Sequence, residues 1–187
     1  DENKIELKEV TSKTRIPMLR NGEIDAIIAT MTVTEERKQE VDFSDIYFMA
    51  GQSFLVKKDS PINGIADIKK GTKVVTAKGS TSAVNVRAKA PDATVLEFEN
   101  YAEAFTALKA GQGDALTTDN ALLYGMAKQD PNYRVTEGAF TEEPYGIAIK
   151  KGDQEFVTLV NDTLKELKNN GEYDKIYEKW IGSKPAK

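Results

Sequence analysis

Apolar residues come in short runs of strand length, Ala26-Ile27-Ile28-Ala29, Val74-Val75, Val95-Leu96 and Gly146-Ile147-Ala148-Ile149, separated by stretches of helical spacing. This alternation predicts an α/β fold with a largely parallel sheet. Helix punctuation agrees with it. Asn100 is placed to cap a helix with Glu103 at its third position, Ala104, Phe105 and Leu108 share a face, and Gly111 suits the stop. Towards the C-terminus, Phe156, Val160, Leu164 and Leu167 recur at helical spacing after Asp153 and before Gly171, predicting a helix of about four turns. Its Lys165, Glu166 and Lys168 should face water.

Two segments echo each other. Asn21-Gly22-Glu23-Ile24-Asp25-Ala26-Ile27-Ile28-Ala29-Thr30 and Ala110-Gly111-Gln112-Gly113-Asp114-Ala115-Leu116-Thr117-Thr118 share a layout of helix stop, Gly, two residues, Asp-Ala, strand and Thr. Two similar βα units predict two similar lobes, and the plainer alternative is ordinary loop chemistry between helix and strand. No low-complexity linker divides the halves, so strands must join them.

Composition narrows the chemistry. The 187 residues carry 26 Lys+Arg against 30 Asp+Glu, a net charge of -4 that gives no strong field for nucleic acid or a membrane surface. No run of eighteen apolar residues predicts a membrane-spanning helix. With no Cys and no His, thiolate metal sites, disulfides, Ser-His-Asp and Cys-His arrangements and imidazole bases are all excluded. Only carboxylates, lysines and tyrosines are left for catalysis, and no cofactor is implied.

In open α/β sheets ligands sit beyond the carboxyl ends of strands, so the loops after the apolar runs are the candidates. In Thr30-Met31-Thr32-Val33-Thr34-Glu35-Glu36-Arg37, Thr34 can cap a short helix that brings Arg37 to the strand end, where its planar guanidinium suits a carboxylate. The alternative is an Arg37 paired with Glu35, Glu36 or Asp42 on a solvated face. Ala77-Lys78-Gly79-Ser80-Thr81-Ser82 opens a helix whose N–H groups and hydroxyls suit an anion, and otherwise form an ordinary Ser/Thr cap; the loop lacks the P-loop pattern. Asp119 in Thr117-Thr118-Asp119-Asn120 is either an N-cap or an ammonium acceptor. Taken together, Arg37, the two hydroxyl-bearing loops and Asp119 are complementary to a free amino-acid zwitterion.

Ile28 to Arg37 followed by Val41-Asp42-Phe43-Ser44-Asp45-Ile46-Tyr47 closely resembles the signature of the extracytoplasmic solute-binding proteins that serve polar amino-acid ABC importers. So do Lys78 to Ser82, Thr118-Asp119, Glu143-Pro144-Tyr145-Gly146-Ile147-Ala148 and the ending Gly171 to Trp180, in order over essentially the whole chain. The resemblance is to glutamine- and glutamate-type members. It implies the periplasmic-binding-protein type II fold: two α/β lobes with the ligand clamped between them, joined by two hinge strands near Ser53–Lys57 and Pro144–Ala148. Lobe one would comprise 1–56 and 144–187, and lobe two 57–143. Carried over, Arg37 grips the ligand α-carboxylate, Thr32 and the backbone at Thr30 assist from lobe one, Ser80 and Thr81 contact from lobe two, and Asp119 accepts the ammonium. The implied partners are a free L-amino acid, glutamine or glutamate, and the membrane permease of an ABC importer. The implied place is extracytoplasmic, in the periplasm or lipid-anchored at the outer face of the cell membrane.

Family members begin with a further βα unit, and here Ile5 and Leu7 alternate like their second strand. The resemblance therefore leads to the expectation that the first βα unit of lobe one is absent, that Ile5–Val10 forms a strand, and that the incomplete lobe self-associates. An enzyme on the same fold, a cyclohexadienyl dehydratase, is the alternative; it needs a carboxylic acid in the cleft, for which only Glu142 and Glu143 are placed, and their position beside Pro144 reads as a hinge turn. A receptor ligand-binding core would continue into membrane segments. The reading adopted is a binding protein, not an enzyme.

Overall fold

The computed structural model describes residues 2–182. Among these, α1 (Arg15–Asn21), β1 (Ala26–Ile27), α2 (Glu35–Glu40), β2 (Val41–Phe43), β3 (Phe48–Ala50), β4 (Gln52–Lys57), β5 (Lys73–Ala77), α3 (Thr81–Lys89), β6 (Thr94–Phe98), α4 (Tyr101–Lys109), β7 (Ala115–Asp119), α5 (Asn120–Gln129), β8 (Tyr133–Val135), β9 (Glu143–Tyr145), β10 (Ala148–Lys150), α6 (Gln154–Asn169) and α7 (Glu172–Ile181) follow one another. The strands form three sheets: a five-stranded one in the order β6-β5-β7-β4-β8, a three-stranded one in the order β1-β10-β2, and the ladder β3-β9.

The large sheet is sandwiched between helices, which explains why its strands read as continuous apolar runs. Successive residues point to opposite faces. Phe54, Val56, Val74 and Ala115 join a core with Ile62, Ile68 and Val86 of α3, while Leu55, Val75 and Leu116 join a second core with Ala104, Phe105 and Leu108 of α4 and Leu123 of α5. The small sheet has its own core, in which Ile27, Val41 and Ala148 meet Leu19 and Met31.

Both repeats of the echo are realised. α1 stops at Gly22 with φ 77° and α4 at Gly111 with φ 75°, left-handed positions at which only a residue without Cβ sits freely, and β1 and β7 then begin. The capping signals hold as well: the side chains of Asn100 and Asp153 accept from the N–H groups of Glu103 and Phe156, opening α4 and α6. Lys165, Glu166 and Lys168 are exposed.

Three expectations are corrected. The sheets are mixed rather than largely parallel: β5 runs parallel to β6 and β7, whereas β4 pairs antiparallel with β7 and β8, and β10 pairs antiparallel with β1 and β2. Chain passages between the sheets return in the opposite sense, which apolar periodicity does not encode. Residues Ile5–Val10 form no strand; Ile5 and Leu7 are 68% and 92% exposed, so alternation without a partner ladder produced no sheet. The first crossing is not at Ser53–Lys57, since β4 already belongs to the large sheet. The ladder joining the two sheets is β3 against β9, with Phe48 opposite Tyr145 and Ala50 opposite Glu143.

Leu116 is fully buried beneath α4 and α5 in the strand that leads to Asp119. Leu116→Ala should lower stability by about 2–5 kcal/mol in urea unfolding. A loss under about 1 kcal/mol would mean that this core closes over the gap.

Candidate functional site

Parallel pairing sends the carboxyl ends of β5, β6 and β7 to one end of the large sheet, so α3, α4 and α5 all begin there and direct their N-termini to the same place. The antiparallel register of β4 on β7 sets Gln52 opposite Asp119. Facing them is the loop between β1 and α2. It is held against β9 by the Thr32–Tyr145 bridge and by the Val33 N–H donating to the Pro144 carbonyl at 2.8 Å.

Thr34 caps α2, accepting from the Arg37 N–H, and Arg37 turns inward and is 8% exposed. The surface alternative for Arg37 fails because Glu35 pairs with Lys38 and Asp42 with Lys151. The guanidinium donates through Nη1 to the Thr32 carbonyl at 2.8 Å and through Nη2 to the Gly79 carbonyl at 3.2 Å, the latter reaching from the small-sheet side to the large-sheet side. Gly79, with φ 71°, also brings the two sides close: a Cβ there would lie 3.0 Å from Lys13 Cα and 3.1 Å from the Ser12 carbonyl. Thr30 offers its carbonyl to Arg15 Nη1 at 2.9 Å.

On the large-sheet side, Ser80 is the N-cap of α3; its hydroxyl donates to the Ala77 carbonyl at 2.7 Å and accepts from the Ala83 N–H. Thr81 opens the helix, accepts from Gln52 Nε2 at 2.9 Å and donates to Glu143 Oε2 at 2.8 Å. Asp119 precedes α5 but makes no cap bond there. Its carboxylate instead accepts the Tyr145 hydroxyl, deep in the cleft. The structure therefore brings Thr30, Thr32, Arg37, Thr81 and Asp119 into one hydrogen-bonded cluster through Arg15, Glu143 and Tyr145, with Ser80 next to Thr81.

Two further charged groups belong to this cluster. Arg15, 3% exposed, sits at the first position of α1, where the helix dipole disfavours a cation; that local conflict is the sequence signal for it. Its Nε has no hydrogen-bond partner among the described residues. Glu143, 2% exposed, accepts from Thr32, Thr81 and Asn85, so it lies on a buried strand rather than in a hinge turn; Glu142 beside it is exposed. Its signal was the alternation of Glu143 and Tyr145 on one side of an extended segment, hidden by the charge of the first.

Burial governs the electrostatics. Desolvation lowers both guanidiniums, Arg15 to about 10, with the Arg37 charge next in weight. Desolvation pushes Asp119 up to about 6; the Tyr145 hydrogen bond opposes this and the Glu143 charge adds to it. Burial first, and then the Asp119 charge, raises Tyr145 far above its ordinary value. Among the described residues neither guanidinium forms an ion pair with either carboxylate. Two cations and two anions are thus held out of water in one cluster, acting on one another through space but without ion-pair contacts among the described residues. A depression of about 660 Å³ beside the amino ends of β5 and β7 is lined by groups such as Lys57, Asp67, Lys69 and Asp114 and shares no residue with this cluster.

The folded chain holds the Asp119 proton up to about pH 6, while an ordinary Asp releases it at 3.8. The folded state therefore binds more protons between those values, and stability falls as pH rises through that window. In urea unfolding from about pH 4 to about pH 7, the unmutated protein should lose up to about 3 kcal/mol more than Asp119→Asn. Parallel pH profiles would contradict the raised value.

The family model of bacterial extracellular solute-binding proteins, family 3, matches residues 2–183. The chain is 66% identical over 186 residues to the ABC transporter glutamine-binding protein GlnH of Bacillus subtilis (strain 168), covering 100% of this chain and 68% of that protein. It is 74% identical over 163 residues to the glutamine-binding protein of Geobacillus stearothermophilus, covering 87% of this chain and 62% of that one. The chain thus spans about two thirds of the length of these relatives. Among solved structures, an ancestral arginine-binding protein bound to glutamine superposes with a TM-score of 0.91 at 46% identity, covering 96% of this chain and 81% of that one. The fold is the α/β type II periplasmic-binding-protein fold, and the chain belongs to the bacterial extracellular solute-binding proteins of family 3.

Proposed function

We propose that the chain binds one free polar L-amino acid, glutamine, in the cleft between the large and small sheets and delivers it to the permease of an ABC importer on the outer side of the cell membrane, in the periplasm or tethered by a lipid. The observation that carries this reading is the buried set of Arg15, Arg37, Asp119 and Glu143, charged but not paired with one another. Leaving charges desolvated and unneutralised is costly unless a ligand of complementary charge completes them. A zwitterion does so. Arg37 takes the α-carboxylate through the N–H groups left over from its two carbonyl bonds, Asp119 takes the ammonium, and Thr30, Thr32, Ser80 and Thr81 supply the polar wall. The names of the glutamine-binding relatives and of the glutamine-bound neighbour support glutamine as the side chain.

Binding without turnover is the reading that the names of the relatives support. Glu143 is already occupied by Thr32, Thr81 and Asn85, so its carboxyl oxygens are tied to the protein and not presented to a leaving group. The two lobes are the units built on the small and large sheets, with β3 and β9 as the hinge. Because Arg37 and Asp119 belong to different sheets, both grip one molecule only when the sheets approach, and ligand binding drives closure.

Calorimetric titration of the full-length protein with the proteinogenic amino acids should give one saturable site with glutamine tightest. Arg37→Ala should cost about 2–5 kcal/mol of binding, and Arg37→Lys should not restore it, since a point charge lacks the two-pronged geometry. Undiminished binding in both folded variants, or no amino-acid binding at all, would overturn the proposal.

A further inference from the structure

The loop between β5 and α3 makes a contact between the two units that ligand binding groups alone do not require. Gly79, on the large-sheet side, lies against Ser12 and Lys13, which lead into α1 on the small-sheet side, where Leu19 joins the core of β1 and β2. Three backbone atoms define the approach: a Cβ at position 79 would stand 3.0 Å from Lys13 Cα, 3.1 Å from the Ser12 carbonyl oxygen and 3.2 Å from the Lys13 nitrogen. Non-bonded carbon atoms rest at about 3.5–4.0 Å, and backbone, unlike the end of a long side chain, does not swing aside. A methyl group at position 79 therefore fits only if the two segments move apart.

Polar groups tie the same loop to the opposite unit. Arg37 Nη2 donates to the Gly79 carbonyl at 3.2 Å. At the rim Lys13 Nζ pairs with Glu99 at 3.2 Å, and Glu99, which stands between β6 and α4, also pairs with Lys78, the neighbour of Gly79. These rim pairs are about half exposed and add little energy by themselves; they mark where the two rims meet. The spacing at this loop bears directly on the proposed binding, because Arg37, which takes the α-carboxylate, bonds Gly79 itself, and Thr81 opens α3 two residues further on. Parting the loop from Ser12 and Lys13 carries the large-sheet wall away from Arg37.

Glycine at position 79 answers two demands, and the rest of the chain separates them. Its φ of 71° is a left-handed value, but every other glycine of positive φ among the described residues, Gly111 at 75° for one, has nothing within 4 Å of an added Cβ. Backbone freedom accounts for those glycines. At Gly79 the space is also taken, and it is taken by the opposite unit.

Resting on the amino-acid reading above, we propose that Gly79 is the seat on which the cleft shuts, a positioning residue for the ligand. The hydrogen that stands in place of a side chain lets the Ser12–Lys13 backbone come to rest against the loop, so that Arg37 on one unit and Thr81 and Asp119 on the other reach the same molecule. Its effect on affinity runs through the distance between the units and requires no contact with the ligand.

The test titrates L-glutamine into the full-length protein and into Gly79→Ala, Gly79→Asn and Gly111→Ala by calorimetry, and follows the dissociation of radiolabelled L-glutamine. Gly79→Ala should weaken binding by about tenfold or more, mainly through faster dissociation, because a cleft held ajar releases its ligand. Gly111→Ala forces a similar left-handed backbone on alanine in open space and should bind as tightly as the unmutated protein. Asparagine accepts the left-handed backbone but keeps a Cβ, so Gly79→Asn should bind no better than Gly79→Ala, whereas a purely backbone role would let it recover. Should Gly79→Ala fail to fold, the double variant Lys13→Cys and Glu99→Cys decides the matter: saturating glutamine should speed its cross-linking by a short bifunctional thiol reagent, since binding brings the rims together. Undiminished binding in folded Gly79→Ala, recovery in Gly79→Asn, an equal loss in Gly111→Ala, or cross-linking that glutamine does not speed overturns this inference alone. An unmutated protein that does not bind glutamine overturns the proposed function and this inference with it.

Discussion

The constraint on which the structure turns is the cost of keeping Arg15, Arg37, Asp119 and Glu143 out of water without ion pairs among them. Such groups persist only where the surrounding framework leaves them no other position. Here the framework supplies neutral partners instead of opposite charges: backbone carbonyls for the guanidiniums, hydroxyls and amides for the carboxylates. Each charge is thereby held by neutral groups, and Arg15 Nε alone among their buried side-chain atoms has no partner among the described residues.

That framework has two halves with separate tasks. The large sheet has apolar cores on both faces, which fix β5, β6 and β7 so firmly that the helix starts beyond them become a rigid wall. The small sheet presents its groups on a loop, braced by β9 and by the bond from Arg15 to Thr30. Between them lies the ladder of β3 and β9, three residue pairs long.

Much of this was legible in the sequence because the signals were local. Thr34, Asn100 and Asp153 cap helices within their own first turns, and Gly22 and Gly111 end helices by their own backbone freedom. Arg37 and Asp119 were singled out because the loops after the apolar runs are where ligands sit in such sheets, and both are buried in the cluster. What stayed hidden was long-range. Strand direction depends on partners far along the chain, as with β4 and β7, and Ile5 and Leu7 alternate without a strand to pair with. Arg15 escaped, and Glu143 was weighed as an acid but read as part of a hinge turn, for a different reason. An isolated Arg or Glu reads as surface unless something marks it as buried, and their burial is created by segments that meet them only in three dimensions: Thr30 for Arg15, and Thr32, Thr81 and Asn85 for Glu143.

The pairing of Gln52 with Asp119 across β4 and β7 bears on how such a chain can diverge. Strand side chains alternate, so gaining or losing one residue between Gln52 and Lys57 would turn Gln52 from the cleft into a core and break its bond to Thr81, however conservative the inserted residue. Replacing side chains in place leaves that registration intact. Substitution along β4, β7 and β9 therefore changes the chemistry of the cluster without moving its register, while a change of length at a far-end turn such as 59–63 carries none of its residues out of step.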